Sequence, residues 1–309
     1  MPKIYAIGET LLDIIFEDNI PKMVRPGGLT LNTVVSLGRL NLPVYFISEW
    51  ANDKIGDIID KFLIHNNVNT KYVSRFDEGK TALALAFLDK DKNASYSFYK
   101  IYPSSRFING VPEIESGDIV LFASLYAVSK EVRTPLFNFI KYAKSKGSYI
   151  IYDPNFRANH LDELPYLMPL FMENFSIANF VRASNEDFMN IFNATNYEQA
   201  YDELQKTGCK HLIYTSSNQG VWLVTDKIKK FFSVPSITPV STIGAGDTFN
   251  AGIIYGLFKY YCENKNYDYI SENQWNNIIN TAIEFATDVC LSWDNYISEN
   301  FAEKYLLNE

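Results

Sequence analysis

The sequence has few of the residues that build disulfide frameworks or metal clusters. Only 3 cysteines and 3 histidines occur among its 309 residues. The cysteines lie at unrelated spacings and the histidines are scattered, so neither set predicts a disulfide framework or a zinc or redox motif. They are Cys209, Cys262, Cys290, His65, His160 and His211.

Long apolar stretches and an excess of positive charge are also absent. No apolar run approaches the ~18–20 residues that a membrane-spanning helix needs. The net charge is −8, whereas nucleic-acid-binding proteins present basic patches to the phosphate backbone. The first residues do not form a basic leader before an apolar core, and Asp13 interrupts their longest apolar run. We therefore expect a cytoplasmic protein that binds neither membranes nor nucleic acids.

The composition is that of an ordinary globular protein, with 47% hydrophobic and 21% charged residues. Short apolar runs alternate with helical patterns, which is typical of an α/β fold with a mostly parallel sheet covered by helices on both faces. The predicted strands are 4–7, 44–47, 119–122, 149–152, 176–178 and 212–214, and the predicted helices are 28–40, 54–66, 130–146, 185–206, 246–262 and 273–291.

One segment departs from this alternation. Residues 80–88 and 94–101 are two β-like runs joined by the polar turn 89–93. This pattern predicts a hairpin inserted into an α/β chain. Such a hairpin can form a small second sheet that lies over a site as a lid.

A glycine-rich segment at the start of a predicted helix suggests a chemistry. Gly244-Ala245-Gly246-Asp247 precedes an apolar stripe at helical spacing. The first N–H groups of a helix lack internal partners and carry the positive end of its dipole, so they favour an anion. A carboxylate beside them suits phosphoryl transfer, because it can accept a proton from the attacking hydroxyl. The structural alternative is a helix cap.

The polar residues that follow the predicted strands form the remaining candidate site, because ligands of parallel sheets bind at the carboxyl ends of the strands. They contain carboxylates, an arginine and hydroxyls but no cysteine–histidine pair, which argues against thiol catalysis. A Gly-Lys-Thr tripeptide at 79–81 precedes a β-run rather than a helix, and no G-x-G-x-x-G follows the first strand. The candidate segments are 8–13, 153–157, 184–187 and 215–217.

Two further segments have both a functional and a structural interpretation. Gly27 and Gly28 permit close backbone approach to a ligand, and Asn32 offers a donor and an acceptor. The alternative is a turn before an ordinary helix. Asp153 and Arg157 flank the end of a predicted strand, where the arginine suits an anionic ligand or forms a structural ion pair.

Taken in order along the chain, these segments resemble the ribokinase-like, or PfkB, family of carbohydrate kinases. Gly8-Glu9 with Asp13, the Pro26-Gly27-Gly28 run with Asn32, the D-x-x-G at 53–56 and the GAGD at 244–247 are similar to the family's motifs. The resemblance implies a three-layer α/β sandwich with a mostly parallel central sheet, formed as one domain over residues 1–309. It also implies a small β lid within roughly 14–28 and 70–103.

The resemblance further implies roles for individual residues. In the catalytic group, Asp247 would be the base and the preceding glycine-rich turn the anion hole. The substrate group would hold sugar hydroxyls, and the third group would face ATP, with Asp187 in the outer shell of Mg²⁺. The catalytic group is Gly244, Ala245, Gly246 and Asp247. The substrate group is Asp13, Gly28, Asn32, Phe98 and Arg157. The group that would face ATP is Ser184, Asp187, Thr215, Ser217 and Gly220.

Three departures from the family pattern qualify the resemblance. The N-x-x-E motif is represented by Ser184 and Asp187, whereas a register shifted by one would place Phe188 at the acid position. Ser241 replaces an aspartate associated with a monovalent cation, so dependence on potassium is in doubt. The segment 292–296 lacks the usual Gly-Ala pair near the adenine.

We therefore expect a fructokinase that uses ATP and forms a homodimer through its lid. The alternatives within the family are a 2-keto-3-deoxygluconate kinase and a ribokinase or nucleoside kinase. An acidic sugar would need an additional cation, for which Lys100, Arg106 and Arg157 are candidates. A non-catalytic sugar- or nucleotide-sensing protein is the alternative of a different class.

Overall fold

The computed structural model describes residues 1–88, 94–104, 106 and 110–306. The predicted turn at 89–93 lies outside these residues. In the described part of the chain the strands are β1 (Ile4–Ile7), β2 (Leu11–Glu17), β3 (Ile20–Gly27), β4 (Val44–Ile47), β5 (Glu49–Ala51), β6 (Ser74–Phe76), β7 (Lys80–Leu88), β8 (Ala94–Ile101), β9 (Ile119–Ala123), β10 (Tyr149–Asp153), β11 (Phe180–Ser184), β12 (Leu212–Thr215), β13 (Val221–Val224) and β14 (Lys229–Phe232).

The α-helices lie between and after these strands. They are α1 (Leu29–Arg39), α2 (Lys54–His65), α3 (Arg133–Ser145), α4 (Leu164–Ile177), α5 (Asn185–Phe192), α6 (Tyr197–Lys206), α7 (Ala245–Asn264), α8 (Glu272–Cys290) and α9 (Glu299–Ala302). Among the residues described, no helix combines the length and apolar character needed to cross a bilayer.

An eight-stranded sheet forms the centre of the protein, with the order β14-β13-β12-β11-β10-β9-β1-β4. The strands from β4 to β12 in this order are parallel, and β13 and β14 add antiparallel to the end. Alternate residues of β1 enter opposite cores: Ile4 packs with α1, α2, α7 and α8, and Tyr5 packs with α3 to α6. This is the predicted three-layer α/β sandwich, and parallel topology brings the carboxyl ends of β1, β10, β11 and β12 to one edge.

One predicted strand is wrong. Residues 176–178 end α4 instead, and the strand in that region is β11, a few residues later. The sequence of α4 contains Pro165 and Pro169, which mask a helical pattern because proline removes a backbone donor. Pro165 is tolerated because it occupies the first turn. The predicted helix 185–206 is two helices, α5 and α6.

A second, four-stranded sheet has the order β3-β2-β7-β8. One row across it consists of Arg25, Asp13, Ala84 and Phe98, which are cross-strand partners and share one face. Ala82, Ala84 and Ala86 are buried on that face, whereas Leu83, Leu85 and Phe87 on the other are more exposed. The face that carries Asp13 and Phe98 is therefore turned toward the body of the protein.

Helix α7, whose first turn contains the GAGD motif, is held by close packing against α8. A Cβ atom at Gly252 would lie 2.4 Å from the Cα of Ala282, and one at Gly256 would lie 2.9 Å from the side chain of Ile278. Two small residues one turn apart thus let the helix backbones approach each other. This contact fixes where the amino terminus of α7 points.

We expect Gly252→Ala to lower the free energy of unfolding by about 1–3 kcal/mol, because the added methyl group overpacks the contact between α7 and α8. Chemical denaturation followed by circular dichroism measures this. Lys259→Ala, at an exposed position of the same helix, is the control and should change stability by less than about 0.5 kcal/mol. Equal effects of the two substitutions would contradict the packing argument.

Candidate active site

The amino terminus of α7 forms the glycine-rich turn that the sequence predicts to be an anion-binding turn. Gly244 precedes the helix with φ 84, and a Cβ atom there would lie 2.5 Å from the carbonyl oxygen of Asn295. The Ala245 N–H donates to the Thr242 carbonyl over 3.3 Å. Among the described residues, the N–H groups of Gly246 and Asp247 have no backbone acceptor. These two donors, at the positive end of the helix dipole, can bind a phosphate oxygen.

Asp247 is held against α1 by a pair of polar contacts. The Asn32 side-chain amide donates to the Asp247 carboxylate over 2.7 Å, and the Thr33 hydroxyl donates to the Asp247 carbonyl over 2.9 Å. Asn32 is buried, and within the described part of the chain its Oδ1 has no hydrogen-bond partner. A buried acceptor without a partner is costly, and a ligand hydroxyl would satisfy it.

The other face of the site comes from the four-stranded sheet. A Cβ atom at Gly27 would lie 1.9 Å from the Asp13 carboxylate, so a side chain there would displace that carboxylate. Gly28 has φ 119, and a Cβ atom there would lie 2.7 Å from the Glu9 carbonyl oxygen. The two glycines thus let the chain pass between Asp13 and β1 before α1 begins with Leu29.

Both carboxylates have a raised proton affinity. Burial raises the pKa of Asp247 to about 6; the hydrogen bond from Asn32 and the charges of Arg182 and Arg157 act against this, and Asp153 adds to it. Burial also raises the pKa of Asp13 to about 6, against the lowering effect of Arg25. A carboxylate with a pKa near 6 is largely ionised at neutral pH yet accepts a proton more readily than an exposed one, as a general base must.

Four charged or polar side chains at the start of α7 and beneath it form a connected set that the sequence analysis missed as a set. Arg182 Nη1 donates to Asp153 Oδ2 over 2.9 Å, and Arg182 Nη2 donates to the Thr215 hydroxyl over 2.9 Å. Asn250 Nδ2 donates to the same Asp153 oxygen over 2.7 Å. An arginine inside the otherwise apolar start of β11 was the available signal, since buried arginines are rare unless paired.

The residues predicted to face ATP have structural partners in several cases. Ser184 and Asp187 form a capping box at the start of α5, and the second Asp187 oxygen accepts the Phe156 N–H over 2.6 Å. The Asp187 carboxylate is therefore buried and already accepts three hydrogen bonds, so it does not fit an inner-sphere magnesium ligand. Contact through water remains a prediction for this residue. No group of three or more metal-ligating side chains occurs in the described residues.

The segment after β12 forms a tight turn near this edge of the sheet. Thr215 ends the strand and accepts the hydrogen bond from Arg182, and the Ser216 N–H donates to the Gly220 carbonyl over 2.9 Å. Ser217 and Gly220 both have positive φ, 47 and 107 respectively. The turn leaves Ser217 exposed, and a nucleotide contact by its hydroxyl stays a prediction.

The three cations considered for an acidic sugar all have carboxylate partners. Lys100 Nζ lies 2.6 Å from Glu9, and Arg106 Nη2 lies 2.5 Å from Glu49. Arg157 is exposed and its guanidinium lies 3.6 Å from Glu186. The Lys100 pair connects β8 to the segment after β1. The Arg106 pair connects the segment after β8 to β5.

Comparison with known proteins gives the same fold and chemistry. The model of the pfkB family carbohydrate kinases matches residues 1–287. A fructokinase of Vibrio alginolyticus is 24% identical over 280 residues, which are 90% of this chain and 91% of that protein. An aminoimidazole riboside kinase of Salmonella typhimurium is 23% identical, covering 85% of this chain and 83% of that one.

The fold recurs in a solved structure. The fructokinase of Vibrio cholerae O395, in a form with bound fructose, ADP and calcium ion, superposes with a TM-score of 0.85 over 99% of each chain at 20% identity. The family match extends over all the segments that build the site, from Asp13 to Asp247. The chain belongs to the PfkB family of carbohydrate kinases and is a sugar kinase, a phosphotransferase with an alcohol group as acceptor.

Proposed function

We propose that the protein is an ATP-dependent fructokinase. The observation that carries this proposal is the contact between Asn32 and Asp247, because it sets a predicted sugar-binding amide beside a carboxylate at a helix amino terminus. Asp247 would take the proton of the attacking hydroxyl, and the N–H groups of Gly246 and Asp247 would stabilise charge on the transferring group. Asp13, Gly28, Asn32 and Phe98 would hold the sugar.

ATP supplies the phosphoryl group, and Mg²⁺ bound to its phosphates neutralises their charge. For this chain, the unpartnered N–H groups of the α7 turn support a phosphate site. Thr215, Ser217 and Gly220 lie at the same edge of the central sheet and would face the nucleotide. We propose that Asp187 contacts the hydrated metal only through water. That activation by a monovalent cation is doubtful, because Ser241 replaces the associated aspartate, and that the protein is cytoplasmic both stay predictions from the sequence.

A neutral sugar is favoured by the charge pairing around the site. Lys100 and Arg106 are each matched by a carboxylate, Glu9 or Glu49. Arg106 is also stacked on the Tyr102 ring, with 3.7 Å between the guanidinium carbon and the ring centroid. A substrate carboxylate would have to displace a carboxylate of the protein and leave it unmatched. We therefore prefer fructose to 2-keto-3-deoxygluconate.

A coupled assay of ADP release with fructose, 2-keto-3-deoxygluconate, ribose, tagatose and adenosine tests this function. We expect the highest kcat/KM with fructose and a value at least ~10-fold lower with the acidic sugar, since an unmatched buried charge costs more than the ~1.4 kcal/mol of a tenfold factor. Glu9→Gln should bring the kcat/KM values for fructose and the acidic sugar closer together, because Lys100 would lose its carboxylate partner and could pair with the substrate carboxylate. A best substrate other than fructose would overturn the fructose assignment, and no turnover with any sugar would indicate a non-catalytic protein.

The role of Asp247 makes a second prediction. Asp247→Asn should lower kcat about 10²- to 10⁴-fold, the range for loss of a general base, with little change in thermal stability. Because the pKa of Asp247 in the free protein is about 6, the wild-type kcat/KM should fall as the pH drops through about 6, where this base becomes protonated. Steady-state kinetics between pH 5 and 8, at sugar concentrations below and above KM, measure both effects.

Asp13→Ala is the matched contrast, because Asp13 is the other carboxylate of the site with a pKa near 6. Its expected effect is a raised KM for the sugar. An unchanged kcat in Asp247→Asn would show that Asp247 is not the base. An unchanged sugar KM in Asp13→Ala would show that Asp13 does not bind the sugar.

We also propose that the four-stranded sheet acts as the lid over the sugar and that its outer face joins two copies of the chain. Val24 and Tyr99 are exposed on that face, and Phe16 and Phe87 stack there with ring centroids 4.9 Å apart. An apolar sheet face of this kind favours self-association. Two-fold pairing would cover it on both copies.

Analytical ultracentrifugation tests the dimer. We expect the wild type to sediment as a dimer and Val24→Lys as a monomer, since a lysine would be buried in the interface. The control is Ile58→Lys, which makes the same kind of apolar-to-charged change at an exposed position on α2 and should remain dimeric. A monomeric wild type across the accessible concentration range, or a dimeric Val24→Lys, excludes this interface.

A further inference from the structure

Arg182 occupies a place where a positive charge is costly. It lies in β11 between the fully buried residues Val181 and Ala183, and only 8% of its surface is exposed. Its Nε atom has no hydrogen-bond partner among the described residues. Burying an incompletely bonded charge rarely improves stability over an apolar residue of similar size. The position therefore points to a requirement other than packing.

The guanidinium lies against the first turn of α7. A Cβ atom at Gly246 would be 2.9 Å from Nη1, 3.0 Å from Nη2 and 3.3 Å from Cζ of Arg182. Because both nitrogens are nearer than Cζ, the Nη1–Nη2 edge of the group, rather than its face, is turned toward Gly246. The same two nitrogens donate hydrogen bonds to Asp153 and Thr215. Gly246 thus makes room for the cation as well as for an anion.

The charges that face Asp247 come from two neighbouring strands and one loop. Asp153 at the end of β10 opposes its ionisation, whereas Arg182 on β11 and Arg157 after β10 favour it. The contribution of α1 is the neutral amide of Asn32. Arg157 is 62% exposed and Arg182 side chain only 10%. Because solvent and salt screen exposed charges most strongly, Arg182 is the more effective cation at this site.

We infer that Arg182 is a positioning residue for phosphoryl transfer: it supports the anion-binding turn at Gly246 from below and supplies the buried positive charge that keeps Asp247 in its ionised, working form. This inference rests on the proposed function. Asp153 holds the guanidinium in place while partly offsetting its charge. The pair thus adjusts the site electrostatically without touching either substrate.

Steady-state kinetics as a function of pH test the inference on three variants. Arg182→Met keeps the length and removes the charge; kcat at neutral pH should fall roughly 10-fold or more, less than the 10²–10³ of a direct donor. The acid limb of its pH–rate profile, where the rate falls as Asp247 becomes protonated, should move to higher pH because the cation that favours ionised Asp247 is gone. Arg182→Lys should restore the wild-type limb. Asp153→Asn removes the opposing charge and should move the limb to lower pH. The sugar KM should stay unchanged in all three.

The outcomes separate this inference from the proposed function. A wild type that phosphorylates no sugar overturns both. If the wild type is active and Arg182→Met is folded with the wild-type acid limb and kcat, only the inference is overturned, and Arg182 is structural. If Arg182→Met does not fold, the direction of the Asp153→Asn limb decides, since a limb that stays in place or moves to higher pH contradicts the electrostatic role.

Discussion

The hydrogen bond between Asn32 and Asp247 is the contact on which the site depends. It joins the first turns of α1 and α7, two helices whose contacting residues are 215 positions apart. Each helix brings one half of the proposed reaction: α1 follows the glycines beside Asp13, and α7 carries the anion-binding turn. The bond is short at 2.7 Å and holds the carboxylate at a fixed distance from the buried amide, so that a sugar hydroxyl placed by Asn32 would also face Asp247.

The electrostatics of the site follow from a balance of buried charges. Asp153, Asp187 and Asp247 lie near one edge of the central sheet, and Arg182 is the buried cation that acts on all three. Burial raises the pKa of Asp187 and Asp247, which is unfavourable for a carboxylate that must be ionised to work. A guanidinium beneath Gly246 offsets part of this cost. The Asp187 carboxylate instead accepts hydrogen bonds from the N–H and hydroxyl of Ser184 and from the N–H of Phe156. The two carboxylates therefore act differently although both are buried.

Much of the fold could be predicted because its signals are local. Strands such as β1 and β4 are short apolar runs, and helices such as α2 begin with a recognisable cap at Asp53. The prediction failed for residues 176–178 because two prolines hid α4. It also did not include β13, a short apolar run next to the edge strand β14. The motif residues were found because glycine and aspartate at a helix start have a physical meaning. Arg182 was not, because its partners lie 29 and 33 residues away.

The sequence by itself determined the α/β class. It also predicted an anion-binding turn at 244–247 and placed Asp13, Asn32 and Asp247 in a set of candidate residues. These depend on local periodicity, on glycine conformation and on the order of motifs along the chain. Only the tertiary structure decided which charges meet. It paired Lys100 with Glu9 and Arg106 with Glu49, engaged Asp187 in a cap, and set Arg182 beneath Gly246. Such pairings arise from strand order and helix packing, because parallel strands bring distant side chains to a common edge whatever their separation in sequence.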